Sequence, residues 1–287
     1  GFIWYNGEIV EWQDATTHVL NHGLHYGSCV FEGLRVYSSD IYKLEKHTDR
    51  LFHSANRMGM EVPYTKNELN DAQEKIIKKM NITYGYIRPV IWRGSEMMAI
   101  SAQKNKINVA IATWEWPSYF SPEDRLKGLT LQTAEWRRPP ANTIPTDAKA
   151  AGLYMICTLS KHKAEKDGFT DALMLDYEGK VAESTGSNIF FVFNGELHTP
   201  IPHCFLDGIT RQTAISIAEK QGIKVVQRDI YPEEIKDAQE IFLTGSAVEI
   251  NPVRKIDDLE FKVGKVTSMI SDLYLSEVDK NYKIDNS

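Results

Sequence analysis

The sequence predicts a protein of two domains, a smaller α+β domain followed by a larger domain with many antiparallel strands. The chain has 287 residues, and one hydrophobic core rarely organises a chain of this length. Strand and helix patterns alternate over the first third of the chain. Beyond a segment at 117–122 that is rich in Pro and Ser, short strand patterns follow one another between Gly turns, which is typical of an antiparallel meander.

The composition is that of an ordinary folded protein and excludes several classes. Apolar residues make up 42% of the chain and charged residues 25%, whereas a disordered chain has few apolar residues and a large charge imbalance. The aromatic content is 10% and the formal net charge is −6. Because binding to nucleic acid needs clustered Lys and Arg, we expect no nucleic-acid partner.

The sequence indicates a cytoplasmic protein without a membrane partner. No window of about 18 residues is apolar throughout, and the first residues lack the basic flank and apolar run of a secretory signal. The three cysteines, Cys29, Cys157 and Cys204, are widely spaced and odd in number. A disulfide framework would need an even number, so we expect reduced thiols.

The predicted small domain covers residues 1–117 and begins with a hairpin. Asn6 and Gly7 lie between two apolar runs, and both accept the positive φ angles of a tight hairpin turn. Apolar residues at helical spacing predict two helices, at Lys46–Met58 and Lys66–Lys79. Further strands are predicted at Val30–Tyr37, Tyr86–Arg93 and Ile107–Thr113.

Residues 118–128 are predicted to link the domains, and residues 129–287 to form the large domain. Its predicted helices cover 150–168, 210–221 and 266–277. Its predicted strands cover 129–134, 172–176, 180–183, 188–193, 196–198 and 240–243. Two of the strand connections are the turns Glu178-Gly179 and Asn194-Gly195.

Two charged residues are candidates for chemistry. Lys149 lies among small residues before a predicted helix, where a cation opposes the helix dipole. A lysine that is partly desolvated there could attack a carbonyl as a free amine, although a surface lysine at a helix start is the simpler interpretation. Glu183 ends a predicted strand and is costly to bury without a cationic partner, unless it belongs to a polar turn.

Two segments are candidate anion sites. Gly208 begins a predicted helix whose first N–H groups could bind an anion, although Thr210 could instead cap the helix. The turn Thr244-Gly245-Ser246-Ala247 follows a strand and has further amides. An amine nucleophile, a carboxylate for a cation and two anion sites are together the set that a pyridoxal phosphate enzyme needs.

A metal site is the weaker interpretation of the histidines. His18, His22 and His25 have the spacing of one helix face, which makes them a candidate zinc site. However, Gly23 and Gly27 interrupt the segment, and no carboxylate or thiolate lies at ligand spacing. We therefore expect no metal.

Ordered motifs extend over nearly the whole chain. They are Tyr26-Gly27, Val30-Phe31-Glu32-Gly33-Leu34-Arg35, His47-x-x-Arg50-Leu51, Tyr86-Ile87-Arg88-Pro89, Lys149-Ala150-x-Gly152-x-Tyr154, Glu183-x-Thr185-Gly186-x-Asn188, Gly208-Ile209-Thr210-Arg211 and Thr244-Gly245-Ser246-Ala247. In these motifs the chain resembles the fold-type-IV pyridoxal-phosphate enzymes, the class IV aminotransferases, and among them the branched-chain amino acid aminotransferases. The resemblance implies a D-amino acid aminotransferase-like fold, with a small α+β domain and a larger domain containing a pseudo-barrel of mostly antiparallel strands.

The resemblance also implies a role for each matching position. Lys149 would form the Schiff base with pyridoxal 5′-phosphate and move the α-proton, Glu183 would pair with the pyridinium nitrogen, and Tyr154 would bind the 3′-oxygen. The other cofactor-binding positions would be Arg50, Gly186, Asn188, Leu206, Gly208, Ile209, Thr210, Gly245 and Ser246. The substrate-binding positions would be Tyr26, Phe31, Gly33, Tyr86, Arg88, Trp116, Tyr119, Ser246 and Ala247.

The implied activity is a ping-pong transfer of the amino group between Leu, Ile or Val and 2-oxoglutarate. The implied partners are amino acids, 2-oxo acids and a second copy of the chain in a homodimer or higher oligomer. The site would lie near the dimer interface, and Ile100 is a loose match to a position that reaches the neighbouring subunit. Three alternatives stay open: a transaminase for D-amino acids or amines, an aminodeoxychorismate lyase, and an inactive binding protein.

Overall fold

The computed structural model describes residues 1–116 and 127–284. The chain divides into two compact units, of which the first consists of Gly1–Pro117 and Ala148–Leu153. The second consists of Ser118–Asp147 and Tyr154–Ser287. The short segment that contains Lys149 therefore belongs to the first unit. Of the predicted linker at 118–128, only the last two residues lie within the described part of the chain.

The first unit contains an antiparallel sheet whose described strands number seven. They are β1 (Phe2–Tyr5), β2 (Glu8–Glu11), β3 (Cys29–Phe31), β4 (Leu34–Tyr37), β5 (Asp40–Ile41), β6 (Gly85–Arg93) and β7 (Ile107–Glu115). Their order is β2-β1-β7-β6-β4-β5, and β3 also pairs with β6. The predicted hairpin is confirmed, because β1 and β2 are joined by Asn6 and Gly7, which both have positive φ angles.

The predicted strand at 30–37 is wrong as one continuous element, since β3 and β4 are separated at Glu32 and Gly33. Both strands pair with β6, and Glu32 N–H donates to the carbonyl of Pro89 at 2.9 Å. Proline has no N–H with which to return this bond, so the ladder is interrupted here. Because of this interruption, Glu32 and Gly33 lie between the two strands and outside regular secondary structure.

The helices of the first unit are α1 (His22–Tyr26), α2 (Leu44–Arg57) and α3 (Lys66–Lys79). The prediction of α3 is confirmed at both ends, and its start is stabilised by a capping box of Thr65 and Glu68. The helix predicted at 46–58 is also present, with its start two residues earlier. Fully buried apolar residues, including Leu34, Leu51 and Ile87, form the core of this unit.

The second unit contains a closed barrel. Its described strands are β8 (Leu129–Arg138), β9 (Asp171–Asp176), β10 (Val181–Ser184), β11 (Asn188–Phe193), β12 (Glu196–Thr199), β13 (Val225–Gln227), β14 (Glu240–Gly245), β15 (Glu249–Ile256) and β16 (Leu259–Glu260). The ring runs β10-β9-β8-β15-β14-β11 and closes where β10 pairs with β11. Only β8 pairs in parallel within this ring, with β9 and with β15. The predicted pseudo-barrel of mostly antiparallel strands is therefore confirmed.

The helices described in the second unit are α4 (Tyr154–Lys166), α5 (Ile209–Lys220) and α6 (Lys265–Val278). The predicted start of a helix at Ala150 is wrong. Ala150 forms an antiparallel bridge with Val30, and Ala151–Leu153 is a short 3-10 turn before α4. Lys149 therefore does not lie at an α-helix N-terminus, and the helix-dipole argument for its reactivity fails.

Within the described ranges, no helix is both long and apolar enough to cross a membrane. The same ranges contain no group of three or more His, Cys, Asp or Glu side chains placed to bind a metal ion. His22, one of the three candidate histidines, instead bonds Ser28 through Nδ1 and the Ala99 carbonyl through Nε2, both at 2.9 Å. All three cysteines are free thiols.

Candidate functional site

Lys149 is held in the first unit by hydrogen bonds to both sides of its peptide backbone. Its N–H donates to Ser54 Oγ at 3.0 Å, and its carbonyl accepts from Phe31 N–H at 3.1 Å. The flanking residues Ala148 and Ala150 are both buried. The ammonium nitrogen Nζ lies 5.0 Å from the centre of the Phe31 ring. The backbone of Lys149 is thus fixed while its side chain extends beside an aromatic ring.

A buried carboxylate holds Arg50 in the same unit. Glu32 accepts from Arg50 Nε at 2.6 Å and from Nη2 at 3.0 Å, and its Oε2 also lies 2.7 Å from His47 Nδ1. His47, Arg50 and Ser54 lie on one face of α2, because residues three and four positions apart face the same way on a helix. One helix face therefore contacts both Glu32 and the backbone of Lys149.

The charge states of this cluster follow from its surroundings. Burial alone would raise the pKa of Glu32, but the charges and hydrogen bonds of Arg50 and His47 outweigh it and hold that pKa far below its usual range. Burial lowers the pKa of His47, and the nearby cations Arg50 and Lys149 lower it further against the opposing effect of Glu32. At neutral pH the cluster is therefore an ionised carboxylate, a charged arginine and a neutral imidazole.

The structure brings together most of the predicted substrate-binding residues of the first unit. The Arg88 guanidinium lies 4.6 Å from the Phe31 ring centre and donates from Nη2 to the Tyr86 hydroxyl at 3.3 Å. The ring of Tyr86 contacts Trp116, with centres 5.4 Å apart. A Cβ on Gly33 would lie 1.7 Å from the Tyr86 hydroxyl, so only glycine fits there.

Trp114 also packs against Tyr86, at 5.3 Å, although sequence reasoning missed it. Its alternation with Trp116 along one strand pattern could have identified it. Tyr26, a predicted substrate-binding residue, is half exposed, and its ring lies 4.7 Å from that of His22. Tyr119 lies outside the described residues.

In the second unit, Glu183 is buried on β10 between a cation and an amide. Its Oε1 lies 3.5 Å from Arg138 Nε, and Asn188 Nδ2 donates to its Oε2 at 3.4 Å. Arg138 also donates from Nε to the Cys204 carbonyl at 3.3 Å and from Nη1 to Cys157 Sγ at 3.4 Å. Arg138 thus connects the end of β8, the loop at 204 and α4 to the carboxylate.

Sequence reasoning missed Arg138. The available signal was an arginine at the end of an apolar strand pattern, where alternation directs every second side chain inward. Burial is the largest single effect on Arg138 and would lower its pKa, but Glu183, Cys157, Tyr154 and Cys204 together outweigh it and raise that pKa. Burial raises the pKa of the Cys157 thiol to about 11. The arginine therefore stays charged beside a neutral thiol.

Asn188 connects the carboxylate to the start of α5. Its Nδ2 donates to the Leu206 carbonyl at 3.0 Å, and its Oδ1 accepts from Gly208 N–H at 3.2 Å. A Cβ on Gly208 would lie 2.2 Å from this Oδ1, which excludes a side chain. Gly208 is the N-cap of α5 and provides no side-chain bond, so the idea that Thr210 caps the helix is wrong. The first amides, at Ile209 and Thr210, are placed to bind an anion.

A row of polar side chains crosses three neighbouring strands of the barrel. Glu183 lies opposite Asn188, and Asn188 lies opposite Thr244, so the three side chains share one face. Thr244 Oγ1 is buried and has no hydrogen-bond partner among the described residues. The turn of Gly245, Ser246 and Ala247 follows directly and is half-buried.

Gly186 and Tyr154 are the remaining predicted positions of the second unit. Gly186 is exposed in the tight turn between β10 and β11, which is closed by a bond from Ser184 N–H to the Ser187 carbonyl at 2.8 Å. Tyr154 is half-buried at the first residue of α4. A buried carboxylate, an unpartnered hydroxyl and a helix start without a side-chain cap together suit a ligand with a protonated ring nitrogen and an anionic group.

Comparisons with known proteins agree with this chemistry. The family model for amino-transferase class IV matches residues 29–256. The branched-chain-amino-acid aminotransferase of Pseudomonas aeruginosa is 41% identical, over 97% of this chain and 93% of that protein. The enzyme of the same name from Escherichia coli K12 is 37% identical, over 95% of this chain and 91% of that protein.

Solved structures of similar proteins extend the agreement to the fold. The crystal structure of the Escherichia coli branched-chain amino acid aminotransferase has a TM-score of 0.93 and 35% identity, over 100% of this chain and 97% of that chain. A branched-chain amino acid aminotransferase solved with pyridoxamine 5′-phosphate has a TM-score of 0.94 and 37% identity, over 97% of this chain and 94% of that chain. The resemblance and the fold class predicted from the motifs are confirmed: this chain belongs to the class IV aminotransferase family.

Proposed function

We propose that this protein is a pyridoxal-phosphate-dependent aminotransferase that moves the amino group between branched-chain L-amino acids and 2-oxoglutarate. The observation that carries the proposal is the fixed backbone of Lys149, with its ammonium group 5.0 Å from the Phe31 ring. An amine on a side chain with a fixed backbone can serve both as the covalent attachment point and as the base that moves a substrate proton. The names of the relatives support the reaction class and the substrate class.

The bound cofactor supplies an electron sink that makes the α-proton of an amino acid acidic enough to remove. Lys149 would be the acid/base that accepts the α-proton of the substrate and later donates it again. Glu183 keeps the ring nitrogen protonated, and Arg138 stabilises the carboxylate form of Glu183. Tyr154 would bind the 3′-oxygen, and Leu206 would pack on the ring. The residues that would hold the phosphate are Arg50 in the first unit and, in the second, Ser246 and the amides of Ile209 and Thr210.

The substrate side chain meets the aromatic group of the first unit. Phe31, Tyr86 and Trp116 offer apolar surface that suits the side chains of Leu, Ile and Val. Arg88, bonded to the Tyr86 hydroxyl, is a cation that can bind the distal carboxylate of glutamate. The amides of Ser246 and Ala247 bind the α-carboxylate. The same residues thereby accept both substrates of a ping-pong reaction.

The test is a set of half-reactions followed through the visible absorbance of the bound cofactor. L-leucine and L-glutamate should change this absorbance, whereas D-alanine and a chiral amine should not. Lys149→Ala should remove both responses, and Arg88→Ala should weaken the response to glutamate more than that to leucine. A response to D-alanine or the amine without one to leucine would favour the alternative transaminases. Release of pyruvate from aminodeoxychorismate would favour a lyase.

The working form of the enzyme is proposed to be a homodimer. Three apolar side chains of the first unit are largely exposed, namely Val19 at 68%, Leu24 at 69% and Ile100 at 86%. The bond between His22 Nε2 and the Ala99 carbonyl joins the segments that carry them. Exposed apolar side chains that lie close together are typical of an interaction surface, which supports an interface here. Leu24→Glu should shift sedimentation equilibrium toward the monomer, while Lys75→Glu on α3 should not; a monomeric wild-type enzyme would refute the proposal.

A further inference from the structure

Glu32 has no role in the reaction proposed above, yet it is the centre of a tight charged cluster in the first unit. Its side chain is 0% exposed, against 2% for His47 and 16% for Arg50. The contacts of its oxygens with the side chains of Arg50 and His47 are 3.0 Å or shorter, and Gly33 N–H also donates to Oε2 at 3.2 Å. Such a carboxylate is costly to desolvate, and a buried ion pair is weak evidence for a contribution to stability. The cluster therefore calls for a functional explanation.

The two hydrogen bonds between Glu32 and Arg50 fix the orientation of the guanidinium group. Glu32 contacts Nε and Nη2, which form one edge of the planar guanidinium, so the whole plane of the Arg50 group is determined. The Nη1 corner of the plane is then directed away from the carboxylate. An arginine side chain has many rotamers, and a pre-oriented group loses less of this freedom when a ligand binds.

His47 completes the arrangement from the same face of α2. Its neutral ring lies against Oε2 of Glu32 at 2.7 Å and adds no further positive charge beside Arg50 and Lys149. A neutral donor can satisfy a carboxylate oxygen with a hydrogen bond and does not replace Arg50 as the cation of the ion pair. The carboxylate is thereby held by two residues of one helix, three positions apart.

We propose that Glu32 is a positioning residue, which with His47 orients the Arg50 guanidinium for binding the phosphate group of the cofactor. This proposal rests on the assignment of Arg50 to the phosphate under the proposed function. It adds that the phosphate affinity depends on a carboxylate that does not itself touch the ligand. An anionic residue therefore strengthens the binding of an anion, by fixing the cation between them.

The test separates the phosphate from the rest of the cofactor. Full-length protein stripped of cofactor is titrated with pyridoxal phosphate and with pyridoxal, and the ratio of the two affinities measures the phosphate contribution. Glu32→Gln should reduce this ratio about tenfold, equivalent to about 1.4 kcal/mol, while the affinity for pyridoxal stays nearly constant. The matched control is Asp49→Asn on the same helix, whose exposed carboxylate pairs with Lys66 at 2.6 Å. This control should leave the ratio unchanged.

Two further variants distinguish the possible failures. Arg50→Gln should lower the ratio at least as much as Glu32→Gln. If Arg50→Gln leaves the ratio unchanged, the assignment of Arg50 in the proposed function fails. If Arg50→Gln lowers the ratio and Glu32→Gln does not, only the positioning role is overturned. Equal losses for pyridoxal and pyridoxal phosphate in Glu32→Gln would also overturn it, because they indicate a general structural defect.

A shorter carboxylate keeps the test usable if Glu32→Gln does not fold. Glu32→Asp retains the negative charge but withdraws it from the guanidinium edge, so it should lower the ratio by less than Glu32→Gln would. An unchanged ratio in Glu32→Asp would mean that charge alone, without orientation, accounts for the effect of Glu32. That result would overturn the proposal.

Discussion

Two buried ion pairs, one in each unit, are built in opposite senses. In the first unit a carboxylate, Glu32, holds the arginine that we assign to the cofactor phosphate. In the second unit an arginine, Arg138, holds the carboxylate that we assign to the ring nitrogen. The first pair is tight, with contacts of 2.6 and 3.0 Å, whereas the closest approach in the second pair is 3.5 Å.

The two pairs share an arrangement despite their opposite charges. Arg50 is more exposed than its partner, at 16% against 0%, and Glu183 is more exposed than its partner, at 10% against 5%. In each pair the proposed ligand-binding group is nearer to solvent, and a counter-charge lies deeper. In each pair the deeper counter-charge stabilises the charged form of the more exposed group. Because the more exposed group is a cation in the first pair and a carboxylate in the second, substitutions in the two pairs should have different effects.

The largest effect is expected from removing the outer charge of the second pair. Glu183→Gln should lower kcat by at least about a hundredfold, because the group that keeps the ring nitrogen protonated is lost. The cofactor affinity should change far less, since the phosphate contacts are intact. Steady-state kinetics and cofactor titration measure the two quantities. Equal losses in both would mean that Glu183 mainly binds the cofactor and does not support the chemical step.

The next effect compares the two inner charges through stability. Glu32→Gln should lower the free energy of unfolding by about 3–5 kcal/mol, the usual cost of removing one partner of a buried pair. Arg138→Met should cost less, about 1–3 kcal/mol, because its contact with Glu183 is longer and Met fills similar space. Urea unfolding of the cofactor-free variants gives both values. A larger loss in Arg138→Met would show that distance is a poor guide to these pairs.

The elements that could be predicted from the sequence are those with local causes. The helix at Lys66–Lys79 has its capping box within its own first turn, and the Asn6-Gly7 hairpin needs only its two turn residues. The errors came from distant partners. Pro89 interrupts the strand around Glu32, and Val30 pairs with Ala150 where a helix was predicted. Neither pairing is visible in a local window of sequence.

The same distinction applies to the candidate site. Motif resemblance identified Glu183 and Arg50, because each lies in a short ordered pattern. Their inner partners are harder to find, since Arg138 meets Glu183 only through the order of strands in the barrel. Glu32 was visible in a motif, but its function depends on contacts with a helix that begins at Leu44. The assigned roles of these residues stay predictions until the variants are measured.

A smaller effect concerns acid stability in the first unit. Burial lowers the pKa of His47, so the ring is neutral in the folded protein but gains a proton on unfolding below about pH 6.5. The unfolded state then binds more protons, and stability is lost as the pH falls through this range. His47→Gln should make the decline between about pH 7 and 5.5 shallower, by urea unfolding at each pH. An unchanged slope would assign the decline to other groups such as His198, whose pKa is also lowered by burial.

The smallest effect has the opposite sign and belongs to the second unit. Burial raises the pKa of Cys157 to about 11 from a usual value of 9.0, so the folded protein keeps this proton after the unfolded chain has released it. Stability should therefore be lost as the pH rises above about 9, by at most about 1.4 kcal/mol per pH unit for one thiol. Cys157→Ala should flatten that decline, while His47→Gln should leave it unchanged. If His47→Gln flattened the alkaline decline, or Cys157→Ala the acid one, the two clusters would not titrate independently. The contrast between an acid-sensitive and an alkali-sensitive pair would then fail.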